Sequence, residues 1–132
     1  MLRKGLFLIV GVILYAPMIT LLTMVFTILA FRLSETPSIV RVLTVMAGWV
    51  SAVITGISVG MLIGYFVRSG GRYIAVIGSL LTGAFLFLGV KLYSYKPDIA
   101  IPIISGYVLL QACAYIGGCL GERLRLKRSM AR

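Results

Sequence analysis

The stretch GWVSAVITGISVGMLIG, residues 48–64, decides the fold of this chain. Small residues recur at every fourth position within it, at Gly48, Ala52, Gly56, Gly60 and Gly64. Residues four apart lie on one face of an α-helix, so these positions form a nearly continuous smooth stripe. The stripe lies in a long uncharged apolar segment, where small residues let a second helix approach closely. The sequence therefore predicts a membrane-spanning helix that packs against another helix along the stripe.

The composition of the whole chain also indicates a membrane protein. Hydrophobic residues make up 61% of the 132 residues, and the mean hydropathy is +1.10. A soluble domain of this size cannot bury so much apolar surface. The charged residues cluster and leave apolar segments, each about long enough to cross a bilayer core of roughly 30 Å. We predict a single all-α domain, residues 1–132, with four transmembrane spans at about 5–31, 40–67, 73–93 and 99–121 and a basic tail at 122–132.

The connections predict that the four spans form two helical hairpins. The connection RSGGR, residues 68–72, is short and contains two glycines, so spans two and three must be antiparallel neighbours. The segments TPSI at 36–39 and KPDI at 96–99 resemble each other, and each leads into a glycine-containing span. A duplicated hairpin would explain this weak repeat. Chance similarity under the constraints of a membrane explains it equally well.

Spans three and four carry small-residue rows of their own, which extends the packing interpretation beyond the first stripe. These rows are Ala75, Ser79 and Gly83 in span three and Gly106, Ala114 and Gly118 in span four. The row of span three could face the glycine stripe of span two. We therefore predict a small-residue packed bundle whose centre is the seam between spans two, three and four. Span one is predicted to be the more independent helix.

Span one presents a mildly polar face instead of a glycine row. Threonines repeat at helical spacing along it, and Pro17 near its middle predicts a kink. Such a face either contacts a neighbouring helix or lines a path for a solute, and hydroxyls bonded to backbone carbonyls favour helix contact. Gln111, the only amide in the predicted spans, has the same two interpretations. The candidate solute or partner face comprises Ala16, Pro17, Thr20, Thr23, Thr27 and Gln111.

The distribution of positive charge predicts the orientation in the membrane. The net charge of +10 would suggest nucleic acid in a soluble protein, but here basic residues flank apolar spans. They are denser before span one, after span two and after span four, so both termini are predicted to be cytoplasmic. The bacterial cytoplasmic (inner) membrane is the expected location, with membrane lipids and no nucleic acid as partners. Contact with anionic headgroups is expected for Arg123, Arg125, Lys127 and Arg128.

The residues needed for most membrane chemistry are missing from the sequence. There is no histidine or asparagine, and the carboxylates Glu35, Asp98 and Glu122 all lie outside the spans. Proton and ion pathways usually keep ionisable residues inside the membrane, which argues against a small proton-coupled exporter. Cys113 and Cys119 are six apart and lie on different helix faces, so neither a disulfide nor a shared metal is expected. We predict that the protein is not an enzyme and holds no cofactor or metal.

Three functions remain compatible with these observations. The leading hypothesis is a non-enzymatic accessory or structural subunit, which packs through its glycine faces against a larger membrane complex or against copies of itself. The alternative is an oligomeric channel or carrier for a small or lipid-like solute, with the threonine face of span one and Gln111 along its path. A holin-like pore former is the weaker third hypothesis.

Overall fold

The fold is all-helical in the computed structural model, which describes residues 2–33, 35–67, 69–90 and 97–132. No strand occurs in these ranges, and the prediction of an all-α fold is confirmed. The helices are α1 (Leu2–Leu33), α2 (Pro37–Phe66), α3 (Gly71–Val90) and α4 (Pro97–Met130).

Helices of membrane-spanning length and composition occur at Leu2–Leu33, Pro37–Phe66 and Ile101–Met130. They confirm the prediction of a membrane-embedded protein with transmembrane helices. The last of them continues to Met130, whereas the sequence predicted that span four ends at residue 121 and a tail follows. The extension is helical because residues 122–130 contain Glu, Leu, Arg and Lys, which favour helix, and contain neither glycine nor proline.

The ends of α2 follow from local sequence. Thr36 has an extended backbone and Pro37 occupies the first helical position, where its missing N–H needs no partner. The helix ends at Phe66, and the N–H of the next residue, Val67, donates to the carbonyl oxygen of Ile63 at 2.9 Å. Gly70 then adopts a φ of +74°, a conformation that glycine reaches without steric cost. The chain reverses over a few residues, and α3 begins at Gly71.

Helices α2 and α4 run parallel to each other. Near the start of α2, Trp49 contacts Pro102 of α4, and near its end Gly64 contacts Gly118. Residue numbers therefore rise together along both helices.

Helices α1 and α3 run opposite to α2 and α4. The rings of Phe7 and Phe66 stack with centroids 6.3 Å apart, so the start of α1 lies beside the end of α2. At the start of α3 Gly71 lies against Gly64, and farther along α3 Gly83 lies against the ring of Tyr107, which precedes Gly118 in α4. Consecutive helices are therefore antiparallel, which brings both described termini to one end of the bundle.

The closest packing occurs where α2 crosses α4, and we call this contact the α2–α4 seam. A β-carbon placed on Gly56 would lie 2.7 Å from the β-carbon of Cys113, and one on Gly60 would lie 2.5 Å from the carbonyl oxygen of Ala114. From the other side, a β-carbon on Gly117 would lie 2.5 Å from the carbonyl oxygen of Ile57. Only glycine allows the two backbones to touch in this way, as in small-residue contacts of membrane helices.

Helix α3 joins the seam at the end of the bundle where α1 begins and α4 ends. A β-carbon on Gly71 would lie 2.7 Å from the Cα of Gly64, and one on Gly118 would lie 2.5 Å from the Cα of Arg72. Three backbones thus converge at Gly64, Gly71 and Gly118. The carboxylate of Glu122 also accepts a hydrogen bond from the backbone N–H of Arg72 at 3.3 Å, which ties α4 to the first turn of α3.

Helix α1 packs against the other helices and buries fewer residues than α2 does. Its buried residues are Gly11, Tyr15 and Ala30, whereas α2 buries residues along most of its length. Tyr15 is fully buried, and its ring lies 3.5 Å from the position of a β-carbon on Gly78 of α3. Beyond Tyr15 the helix is half-buried or exposed as far as Leu29, which leaves space between α1 and the α2–α4 pair.

Candidate binding groove

A cavity of about 1320 Å³ lies between α1, α2 and α4, and we call it the groove. Apart from Glu35 and Arg41, its walls are made of apolar and aromatic side chains, two glycines and four threonines. The lining residues are Ile19, Thr20, Thr23, Met24, Thr27, Ile28, Phe31, Glu35, Pro37, Val40, Arg41, Thr44, Val45, Gly48, Trp49, Ala52, Pro102, Ile103, Gly106 and Tyr107.

The threonines make the groove less polar than their hydroxyl groups suggest. Thr20 donates to the carbonyl oxygen of Ala16 at 2.8 Å, and Thr23 donates to that of Ile19 at 2.7 Å. On the facing wall Thr44 donates to the carbonyl oxygen of Val40 at 2.8 Å. A hydroxyl that donates its proton to a carbonyl oxygen of its own helix cannot donate the same proton to a solute. The groove therefore suits apolar chains better than water or ions.

The indole of Trp49 connects α2 and α4 beside the groove. Its Nε1–H lies 3.3 Å from the carbonyl oxygen of Pro102 and 3.2 Å from Oγ of Ser105. The Ser105 hydroxyl itself donates to the Pro102 carbonyl at 2.8 Å. The ring packs against Gly106, where a β-carbon would lie at an ordinary contact distance of 3.5 Å from Cδ1 of Trp49. This contact fixes the distance between α2 and α4 at the groove.

Gly48 leaves open space in the wall of the groove. A β-carbon at this position would meet no atom within 4 Å. Gly48 belongs to the same small-residue stripe as Gly56 and Gly60, but it precedes the point at which α2 and α4 touch. The stripe thus serves two purposes: its first part borders the groove, and its later part forms the α2–α4 seam.

Two opposite charges lie at one end of the groove. Glu35 precedes α2, and Arg41 lies in the second turn of that helix. This end is opposite to the end that carries Arg125, Arg128 and the carboxyl terminus, because α2 and α4 run parallel. Among the residues that the structure describes, neither Glu35 nor Arg41 takes part in a salt bridge. The groove is therefore apolar along most of its length and carries one negative and one positive side chain at one end.

The structure brings only part of the predicted solute or partner face together. Thr20, Thr23 and Thr27 line the groove. Ala16 and Pro17 lie one turn closer to the amino terminus and are not among its lining residues, and α1 continues through Pro17 as one helix. Gln111 lies one turn beyond Tyr107 on α4 and does not line the groove either.

The residues predicted for helix packing lie in several different contacts. Ala52 is buried in the core, and Ala75 and Ala114 are fully buried in the same cluster. Ser79 is buried and donates to the carbonyl oxygen of Val76 at 2.8 Å. Gly83 lies against Tyr107 of α4 and Gly106 against Trp49 of α2.

Sequence reasoning missed most of the α2 wall. Arg41, Thr44 and Trp49 were not assigned to a site, and Glu35 was named only as one of the carboxylates outside the spans. A pattern that points to this wall is visible in the sequence, because Arg41, Thr44, Gly48 and Ala52 follow each other at spacings of three and four. The same face of α2 therefore continues towards the start of the helix, where its residues change from small to polar.

Two residues of the basic tail contact the bundle itself. A guanidinium nitrogen of Arg125 donates to the carbonyl oxygen of Val67 at the end of α2, and Arg128 Nη1 donates to the hydroxyl of Tyr65 at 2.6 Å. Positive side chains there complement the negative end of the α2 dipole. Arg123 and Lys127 are exposed.

In the part of the chain that the structure describes, no group of three or more His, Cys, Asp or Glu residues is placed to hold a metal ion. Cys113 is buried in the seam, and Cys119 is half-buried; both are free thiols.

No protein-family model, curated protein or solved structure matches this chain.

Proposed function

We propose that this protein is a non-enzymatic membrane protein that binds one lipid-like amphiphile in the groove and acts as its carrier. The observation that supports this function is the chemistry of the groove: its walls are apolar, three of its four threonines donate to carbonyls of their own helices, and charged side chains lie only at one end. An acyl chain gains contacts along such walls and loses no hydrogen bond. A hydrated ion would lose its hydration shell without finding ligands to replace it.

The accessory-subunit hypothesis has less support from the same structure. It relied on glycine faces that remain free for a partner, but Gly56, Gly60 and Gly64 are occupied by α4 of the same chain. A partner would have to use another surface, such as the outer face of α1, where large apolar side chains are exposed. Lipid tails can cover such a face equally well.

We infer that α3 is a fourth transmembrane span. Its 20 residues rise about 30 Å, which matches the thickness of a bilayer core. It also runs antiparallel to α2 and α4, so a membrane that holds these two helices surrounds α3 as well. An even number of spans places both termini on one side of the membrane.

We further propose that this side is the cytoplasmic side of a bacterial cytoplasmic membrane. Lys4, Arg72 and the tail arginines gather at the end of the bundle where Phe7 stacks on Phe66. Arg32, Glu35 and Arg41 lie at the other end, where the charges are mixed. The excess of positive charge on cytoplasmic segments of membrane proteins supports this orientation.

Retention of lipid by groove-filling variants tests the proposed function. A side chain at Gly48 has open space in front of it, so Gly48→Phe should fill the groove without moving the seam. We expect native mass spectrometry of the wild-type protein, released from lipid nanodiscs, to show one lipid more per chain than the Gly48→Phe variant. Thr27→Phe, from the facing α1 wall, should have the same effect.

Gly5→Phe is the matched control, since a β-carbon at Gly5 also meets no atom within 4 Å but Gly5 does not line the groove. It should retain as much lipid as the wild type. Equal lipid retention by the wild type and by both groove-filling variants, all with unchanged thermal unfolding, would refute the proposed function.

A further inference from the structure

We propose that the amphiphile held in the groove is a phospholipid whose head carries both a phosphate and a primary ammonium group, as phosphatidylethanolamine does. This inference rests on the proposed function and adds the chemistry of the headgroup. It is based on the position of Glu35 and Arg41 at the same end of an otherwise uncharged groove.

Arg41 provides the group that recognises the phosphate. A guanidinium presents a planar set of N–H donors that matches phosphate oxygens, and it keeps its charge at any physiological pH. Arg41 lies on the face of α2 that also presents Thr44 and Gly48 to the groove. A phosphate at Arg41 therefore has its acyl chain directed along this face, and the helix rises about 16 Å between Arg41 and Ala52.

Glu35 provides the group that selects the ammonium. A carboxylate at the same end of the groove would repel a purely anionic head, such as that of phosphatidylglycerol. It attracts a primary ammonium, which has three N–H donors. A quaternary ammonium has no N–H donor and forms no hydrogen bond with the carboxylate. A zwitterionic head would supply an opposite charge to each of these two side chains.

The position of these charges also sets the orientation of the lipid. They lie at the end of the bundle opposite the basic tail, so the head lies at the membrane surface on that side and the chain points towards the bilayer centre. Trp49 and Tyr107 line the deeper part of the groove and would contact the chain. This arrangement matches a lipid of the leaflet opposite to the termini.

Competition between headgroups tests the proposal. Wild-type protein is released from nanodiscs made of equal parts of phosphatidylethanolamine, phosphatidylglycerol and phosphatidylcholine, and the retained lipid is identified by native mass spectrometry. We expect phosphatidylethanolamine to exceed each of the others about fivefold, as one to two charge-assisted contacts near a surface allow. Glu35→Gln should abolish the preference over phosphatidylglycerol, and Arg41→Gln should reduce the retention of all three lipids.

Arg32→Gln is the matched control, because it removes a positive charge at the same end of the bundle from a residue that does not line the groove. It should leave the preference unchanged. If the retained lipid is lost in Gly48→Phe but shows no headgroup preference, this inference is overturned and the proposed function stands. If the Gly48→Phe and Thr27→Phe variants retain as much lipid as the wild type, both are overturned.

Discussion

Glycines on one face of α2 lie in two different environments. Gly60 lies in the α2–α4 seam, where a β-carbon would come within 2.5 Å of the Ala114 carbonyl oxygen. Gly48 borders the groove, where a β-carbon would meet nothing within 4 Å. Because a helix interior otherwise favours alanine over glycine, the same substitution has opposite consequences at the two positions.

We expect Gly60→Ala to lower the free energy of unfolding by about 1–3 kcal/mol, since the added methyl group forces two backbones apart. Gly48→Ala should leave it unchanged or raise it by up to about 1 kcal/mol. Unfolding in detergent micelles, titrated with sodium dodecyl sulfate, measures both. Equal effects of the two substitutions would show that the seam does not lie where the structure places it.

At the scale of the helices, the parallel contact of α2 and α4 organises the bundle. The glycines of α2 meet Cys113, Ala114 and Gly118, and the backbones touch along several turns. Trp49 adds hydrogen bonds to Pro102 and Ser105 where the helices begin to separate. The groove exists because α1 packs closely near Gly11 and Tyr15 but buries no residue between Ala16 and Leu29.

A designed disulfide tests the register of this contact. In a background with Cys119→Ser, Gly56→Cys should form a disulfide with the native Cys113 under mild oxidation. Their β-carbon positions are 2.7 Å apart, and a disulfide needs about 3.8 Å, so the helices must separate by only about 1 Å. Counting free thiols with a maleimide measures the product.

Gly48→Cys in the same background is the control, because it lies two turns earlier on the same face of α2 and faces open space. It should keep both thiols free. A disulfide from Gly48→Cys, or none from Gly56→Cys, would contradict the register.

Much of this arrangement could be predicted at the scale of elements. Composition and the absence of charge predicted helices of membrane length, and α2 begins at Pro37, three residues before the predicted span. Helix α4 continues to Met130, through the basic segment that the sequence assigned to a tail after the span, because the residues of this segment favour helix. Amphipathic patterns separate buried faces from exposed ones poorly in a membrane protein, since lipid-facing and core-facing residues are both apolar.

The candidate site was predictable only in part. The threonine face of α1 was recognised, and three of its members line the groove. Gln111 was included because it is the only amide in the spans, but chemical rarity does not determine the direction in which a side chain points. The α2 wall was missed because assigning Arg41 to a site requires knowledge of which helix lies opposite it.

At the scale of the whole molecule, charge is separated between the two ends of the bundle. The end with both termini carries the tail arginines and Arg72, and the other end carries Arg32, Arg41 and Glu35. A membrane with an anionic cytoplasmic surface favours the first end on that side. The end of the groove that carries Glu35 and Arg41 then faces the opposite side of the membrane.

Single cysteines report this orientation. In a background with Cys113→Ser and Cys119→Ser, a membrane-impermeant maleimide should label Arg32→Cys in intact cells. Ser129→Cys, which replaces an exposed residue of α4, should be labelled only after the membrane is permeabilised. Labelling of Ser129→Cys in intact cells would contradict the orientation, and labelling of both would contradict an even number of spans.

Photocrosslinking with a phospholipid that carries a diazirine on its acyl chain tests the central claim most directly. The purified protein in nanodiscs is irradiated, and the labelled peptides are identified by mass spectrometry. We predict that labels concentrate on the facing walls of the groove, around Thr23 and Thr27 on α1 and around Thr44 and Val45 on α2, and that Gly48→Phe removes them while Gly5→Phe does not. Labels spread evenly over the outer faces of the helices, with none removed by Gly48→Phe, would contradict the account.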